Sequence, residues 1–402
     1  VKLNRFSKVW VGAWWMGFLV AAGLAFLAAI PIFALPKELP GYRSVRAIKK
    51  NEVDKNLQTK IMEVKHEHFL GIIAMLLSNR PYVLLTMAGT LEAMMASGLS
   101  AFISKILEAQ FGLTSSASAT ILGNAAINGV PFPGSTGIIA MPSACGGTLI
   151  GGYVIEKFDL VCSNIIRMCL VSAMFTWISM AFILLHCTNV PFAGISNLEG
   201  TESSLKMKCN ENCSCSEMLY SPICGADNVT YFSPCFAGCR KDYVVRDTVV
   251  YSDCSCIGSR LREEPGDSGT VSQAELTRCQ TTCNAIVPFS VGLFLALFGT
   301  FLNTAPGMSA TIRCVGEPSK SVALGLQWVS VRLFGTILSP ILFGSMIDLS
   351  CVHWQTLCQS QRGACLVYEN ASMSYNMYGF LIFLKTLSVI FFFAAWLSYR
   401  PA

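Results

Sequence analysis

Four charged residues stand inside otherwise apolar runs: Glu92, Arg167, Arg332 and Lys385. An ionised side chain at the centre of a bilayer costs at least about 2.5 kcal/mol, so each should face a cavity or a partner. Arg332 is the first candidate for binding, because a guanidinium can grip a carboxylate or sulfate through two parallel hydrogen bonds. The competing reading is a structural ion pair with Glu92 or another helix. Lys385 offers a second positive charge near the middle of its run, against packing or snorkelling. Arg167 lies close to the inner end of its run, where a structural role takes precedence. Glu92 is either a coupling group or the partner of Arg332. The two central cations would favour anions on electrostatic grounds, and no covalent step is needed.

The other chemistry is crosslinking. Cys209, Cys213, Cys215, Cys224, Cys235, Cys239, Cys254 and Cys256, followed by Cys279 and Cys283, crowd a polar segment between long apolar runs. Cysteines this dense, in a stretch with little core of its own, call for disulfides, which persist only in an oxidising compartment. The segment is therefore expected outside the cell, with its pairing left open. Asn212-Cys213-Ser214, Asn228-Val229-Thr230 and Asn370-Ala371-Ser372 are glycosylation sequons on that side. There is no Gly-rich phosphate loop, no zinc-ligand spacing and no nucleophile-base pair. Of the four histidines, His66 and His68 form a lone His-x-His that reads as solvated surface. No enzyme, cofactor or metal is expected, and a net charge of +5 spread over 402 residues does not suggest nucleic acid.

The elements that must position these residues are membrane spans. The chain is 53% hydrophobic and 13% charged, with a mean hydropathy of +0.52; soluble domains carry about a quarter charged residues. After an atypical basic start at 1-8, the apolar run 9-35 is long enough to cross a bilayer. It is too long for a signal-peptide core, and tryptophans at 10, 14 and 15 fit an interfacial belt. The segment 36-80 holds nine Lys/Arg against five acids, which marks a cytoplasmic loop. Phe69, Ile72, Ile73 and Leu76 predict an amphipathic helix at its end. The region 81-187 predicts three spans, at about 82-104, 118-155 and 162-187. The middle one is too long and is broken by Asn128 to Gly134, breakers tolerated at membrane depth only inside protein or beside water. A half-helix substrate site and an aberrant insertion are both open there. The cysteine loop occupies 188-284, and 285-398 predicts three more spans at about 285-304, 322-347 and 376-398, before a short tail at 399-402. A cytoplasmic connector with Arg313 and Lys320 is expected after the fifth. Seven spans entered from outside place the basic loop inside, both cysteine-bearing loops outside and the C-terminus inside.

Two resemblances join this reading. Cys224 to Cys235, with the lead-in Pro222 to Gly225, the pair Thr230-Tyr231 and the following Cys239, resembles the heart of a Kazal-type module, placed at 209-256. Val11-Gly12-Ala13-Trp14-Trp15-Met16-Gly17-Phe18-Leu19 resembles the signature of the organic anion transporting polypeptides at their sixth transmembrane helix. Ala323 to Trp328 with Arg332, and Ala394-Ala395-Trp396, look like the same family, whose Kazal-like loop lies between its ninth and tenth helices. The resemblance implies an all-α polytopic membrane protein, with about seven helices corresponding to helices 6-12 of a major facilitator fold, plus the disulfide-rich module. It implies sodium-independent transport of amphipathic organic anions such as bile acids, conjugated steroids, prostaglandins and thyroid hormones, by alternating access at the plasma membrane. It also implies a substrate-lining role at Arg332.

Three departures accompany it. Ser7 and Val9 stand where the family has Asp-x-Arg, five helices of the family's twelve have no counterpart, and Asn124 to Thr136 looks like extra sequence. They suggest a chain that starts at a junction within a longer transporter. Two other functions follow from the same residues: a non-transporting variant that is inert or pairs with a full-length carrier, and a membrane-anchored Kazal-type binding or protease-inhibiting module.

Overall fold

The structure, a computed structural model, describes residues 15–33, 69–113, 118, 139–195, 204–218, 220–245, 248–258, 260–261, 270–271, 273–279, 283–315, 319–356 and 362–399. The N-terminal unit, 1–51, contributes one described element, the apolar helix α1 (Trp15–Phe33), with Pro31 inside its last turn. The breaker stretch Asn128 to Gly134 and the tryptophans at 10 and 14 lie outside the described residues.

The second unit is a helical bundle capped by small sheets. Its helices are α2 (Phe69–Ser78), α3 (Arg80–Phe111), α4 (Ala140–Lys157) and α5 (Cys162–Ser179, extended by a tighter turn to Leu184). After the cysteine loop come α6 (Ile286–Leu302), α7 (Thr304–Cys314), α8 (Lys320–Ser330), α9 (Leu338–Asp348) and α10 (Asn370–Ser398). Among the described residues, five stretches are long and apolar enough to cross a membrane: Arg80–Phe111, Cys162–Leu184, Ile286–Cys314, Lys320–Asp348 and Asn370–Ser398. Seven were expected. At the other two places stand α1, whose Trp15–Pro31 stretch is apolar but shorter, and α4, an 18-residue helix that is not among the five.

Pro81 opens α3, where its missing N–H costs nothing, and Gly112 closes it in a left-handed conformation (φ 63°). Helix α3 is the centre of the bundle. It packs along α10, and further round against the α8–α9 segment. Met95, Leu99 and Leu107 of α3 meet Phe289 and Leu293 of α6, Phe343 of α9 and Met377 and Leu381 of α10 in one buried cluster.

Two helices are distorted where they approach the middle of this bundle. Helical structure continues past the expected end of the fifth span at about 304: α6 breaks at Asn303, and α7 carries the chain on to Cys314. Pro306 is the cause, since it has no N–H for the Leu302 carbonyl one turn back. The second distortion is a π-helical stretch, Val331–Ile337, between α8 and α9. Gly335 lies in it, where an added Cβ would come within 2.9 Å of the Thr90 carbonyl on α3.

Helix α4 closes over the first break. Cβ atoms at Gly147 and Gly151 would stand 2.7 Å from the Phe298 carbonyl and 2.5 Å from the Leu302 carbonyl. Small residues four apart thus let two backbones touch, the usual device in lipid. Gly151→Ala should destabilise the chain in detergent by the roughly 1–3 kcal/mol typical of overpacking, which lowers its melting temperature. Gly152→Ala, whose Cβ would meet nothing closer than 3.9 Å, should be neutral or slightly stabilising because alanine is the better helix former. Equal melting temperatures for the two variants would contradict the packing.

The cysteine loop folds into a five-stranded sheet of order β2-β1-β7-β4-β3, where β1 is Ile223–Gly225, β2 Thr230–Tyr231, β3 Lys241–Val245, β4 Thr248–Ser252 and β7 Ala274–Glu275. A separate ribbon pairs β5 (Arg260–Leu261) with β6 (Thr270–Val271). Its disulfides are Cys209–Cys256, Cys215–Cys235, Cys224–Cys279 and Cys239–Cys254, and Cys187–Cys283 joins the two feet of the loop where it leaves α5 and enters α6. Cys213, expected among the bonded ten, is a free, exposed thiol. Eleven cysteines fall between 187 and 283, so they cannot all pair within that stretch, and Cys187 takes the place expected for Cys213.

A hairpin of β8 (Cys351–Thr356) and β9 (Arg362–Tyr368), clipped by Cys351–Cys365, packs against the loop. Phe192, Leu205, Phe232 and Phe236 meet Leu366 and Val367 there, with His353 edge-on to Phe232 at 6.0 Å. Burial pulls the His353 pKa below its usual value, against the opposing pull of Glu217.

Candidate functional site

The two distortions and the middle of α3 enclose a cavity of about 430 Å³. Glu92 and Gly89 line it from α3, Asn303 and Thr304 from the break between α6 and α7, and Gln327, Trp328 and Arg332 from α8 and the π-helical stretch. Irregular backbone is stable at membrane depth where protein or a cavity surrounds it. Single π-turns also recur at functional sites.

The charged residues divide into two sets. Lys385 is completely buried on α10 and donates to both oxygens of Glu92, at 2.6 and 2.8 Å. Ser388, one turn further along α10, donates to Glu92 Oε1 at 2.7 Å. A lysine and a serine three apart thus share one helix face and hold the carboxylate of another helix. This corrects two expectations. Glu92 is paired with Lys385 and not with Arg332, and Lys385 does not line the cavity, because it stands behind the wall with its charge neutralised.

Arg332 is the other set. Its side chain is exposed in the isolated chain and lines the cavity, with the guanidinium 5.3 Å from the Trp328 ring centroid one turn earlier. Among the described residues it has no carboxylate partner; the ion pair there is Lys385 with Glu92. Stacking on an aromatic face leaves the edge donors of a guanidinium free for an anion. Arg167 is exposed on α5 and is not part of the cavity wall; the bundle does not bring it to Arg332.

Two residues of the wall were not singled out by sequence reasoning. Asn303 is 5% exposed, and neither its amide nitrogen nor its amide oxygen has a partner. Gln327 is 8% exposed, and its nitrogen donates to Thr311 at 3.3 Å while its oxygen is unpartnered. The available signal was weak: an asparagine three residues before a proline within an apolar run.

Of the sequon asparagines, Asn212 and Asn228 are exposed, whereas Asn370 is 4% exposed. The Asn370 amide nitrogen, the atom a glycan would need, donates to the carbonyls of Gln110 and Cys187 at 3.2 and 3.1 Å. The expected glycan at Asn370 therefore does not fit the folded chain, in which this asparagine ties α3 to α10. In the cysteine module, the Tyr231 hydroxyl sits 2.8 Å from Asp227 and 2.9 Å from the Cys256 carbonyl. Burial, with help from the Asp227 carboxylate, pushes its pKa well up.

Long apolar helices around a largely apolar cavity with a few polar side chains in its wall, carrying a disulfide-bonded loop, define a polytopic helical membrane protein. The Organic Anion Transporter Polypeptide (OATP) family model matches residues 1–373, and the chain belongs to that family. It is 37% identical over 414 aligned residues to solute carrier organic anion transporter family member 4A1 of Mus musculus, covering 99% of this chain and 54% of that protein. Member 4C1 of Mus musculus is 33% identical over 98% of this chain and 54% of its own length. Member 1A1 of Rattus norvegicus is 32% identical over 95% and 56%. The chain thus spans about half the length of the curated relatives it matches.

Proposed function

We propose that this chain supplies the anion-binding half of a carrier for amphipathic organic anions, such as bile acids, conjugated steroids, prostaglandins and thyroid hormones. Transport would be sodium-independent and would run by alternating access. The observation that carries the reading is Arg332: a guanidinium on a cavity wall, without a carboxylate partner among the described residues, while Glu92 and Lys385 neutralise each other. The names of the relatives, organic anion transporters, point to the same class of cargo.

In this reading seven helices, α1 and α4 among them, cross the plasma membrane in a major-facilitator arrangement. The cysteine module is an extracellular Kazal-like domain, since its disulfides require an oxidising compartment, and the C-terminus is cytoplasmic. A second half, rocking against this one, would complete the path. The alternative is a non-transporting variant that is inert or pairs with a full-length carrier.

The test is uptake of labelled estrone sulfate into cells expressing this chain or Arg332→Ala, with surface labelling as control. Losing a charge-assisted, two-pronged contact costs about 1.5–3 kcal/mol, so uptake should fall at least about tenfold at equal surface level. Equal uptake by the two chains would remove Arg332 from the site. Surface delivery without uptake by either would leave the non-transporting reading.

A further inference from the structure

The orphan amides have a purpose in a binding site and a cost outside one. A buried amide without a partner destabilises the fold that carries it, and native chains seldom keep one. Here the two residues that carry them line one cavity. The orphan atoms lie just behind its surface, and a turn of the side chain would present a donor and an acceptor from Asn303 and an acceptor from Gln327. Asn303 also sits at the break that Pro306 forces between α6 and α7. Gln327 is tied to α7 by its bond to Thr311, and its nitrogen stands 3.7 Å from where a Cβ on Gly89 of α3 would be. Neither amide carries charge, so neither competes with Arg332 for the anionic group.

We propose that Asn303 and Gln327 form a second, uncharged recognition point, which takes neutral hydrogen-bonding groups on the apolar body of the anion that Arg332 holds. This rests on the anion-binding reading above and narrows it. The preferred ligand is an organic anion bearing hydroxyl, carbonyl or amide groups away from its charge, and not a plain hydrocarbon anion. An anion lacking such a group leaves the buried amides unpaired, which is how a polar pocket rejects an apolar analogue. Gln327 and Arg332 are five residues apart, about 7.5 Å along a helix axis. The charged end and the neutral polar group would therefore lie on different parts of the same molecule.

The experiment measures equilibrium binding of two radiolabelled probes to the purified full chain in detergent. They are estradiol 3-sulfate and the same sulfate lacking the 17-hydroxyl, equal in charge and ring system. The wild-type chain should bind the hydroxylated probe about tenfold tighter, the scale of an unpaired buried polar group. The near-isosteric variants Asn303→Leu and Gln327→Met, singly and together, should bring the two affinities within about twofold of each other. Arg332→Ala should weaken both probes and preserve their ratio. Ligand-free Asn303→Leu should melt at or above the wild-type temperature, because it removes an orphan amide; a structural asparagine would melt lower. If the double variant does not fold, the single variants decide. Binding of both sulfates with less than a threefold preference, or a preference that survives both substitutions, overturns the proposal and leaves the anion site standing. No binding of either sulfate to wild type overturns both.

Discussion

Glu92→Ala is expected to be among the most damaging single substitutions in the bundle. It would leave the Lys385 ammonium, fully buried and otherwise held at 2.6 and 2.8 Å by that carboxylate, with only Ser388 beside it. Removing one partner of a buried ion pair costs about 3–5 kcal/mol, a large fraction of the roughly 5–15 kcal/mol that keeps a typical protein folded. Thermal unfolding in detergent and the fraction of chain reaching the cell surface should both drop sharply. Lys385→Met should be milder, because Glu92 touches the cavity and can be hydrated there. The double variant Glu92→Leu with Lys385→Met should recover most of the loss, since apolar residues of similar volume often replace a buried pair at no net cost. Arg332→Ala, which breaks no pair, should melt near wild type. A Glu92→Ala chain as stable as wild type would show that the pair does not hold α3 to α10.

The contrast between Lys385 and Arg332 marks the limit of what the residues alone reveal. Both were legible as charges in apolar runs, and the cost of burying a charge already said that each needs a cavity or a partner. Which gets which depends on how α3, α8 and α10 are rotated about their axes, and the sequences of α3 and α10 are apolar almost all round. With no strong polar face, periodicity cannot orient them. The kink at Asn303 hid for a related reason. A run that stays apolar through a proline reads as ending there, whereas α4 closes over the freed carbonyl and lets the helix resume. Asn370 misled differently: a sequon reports only local sequence, and the amide that would carry a glycan is committed to carbonyls 260 and 183 residues away.

The cysteines were legible as a framework but not as a pairing, and here the structure makes its second large prediction. Cys187→Ser with Cys283→Ser removes the bridge between the feet of the loop, which spans a sequence separation of 96. Closing a loop of about 100 residues is worth up to roughly 4.7 kcal/mol in the chain-entropy account. The four bridges inside the loop already shorten the free chain, so about 2–4 kcal/mol is the expected loss. Cys213→Ser, by contrast, removes a thiol that is exposed and unbonded, and should leave the melting temperature unchanged. Mass mapping under non-reducing conditions separates the alternatives directly. Alkylation before reduction should label Cys213 in the wild-type chain, and should reach Cys283 only when Cys187 alone is replaced. Protection of Cys213, or a melting loss on replacing it as large as that of the Cys187 and Cys283 pair, would mean that the loop is stapled through Cys213 after all. The feet of the module would then be free to separate. That difference reaches the cavity, because α6 begins three residues after Cys283 and ends at Leu302, capped by Asn303. A staple at the head of α6 fixes the helix whose broken end lines the cavity.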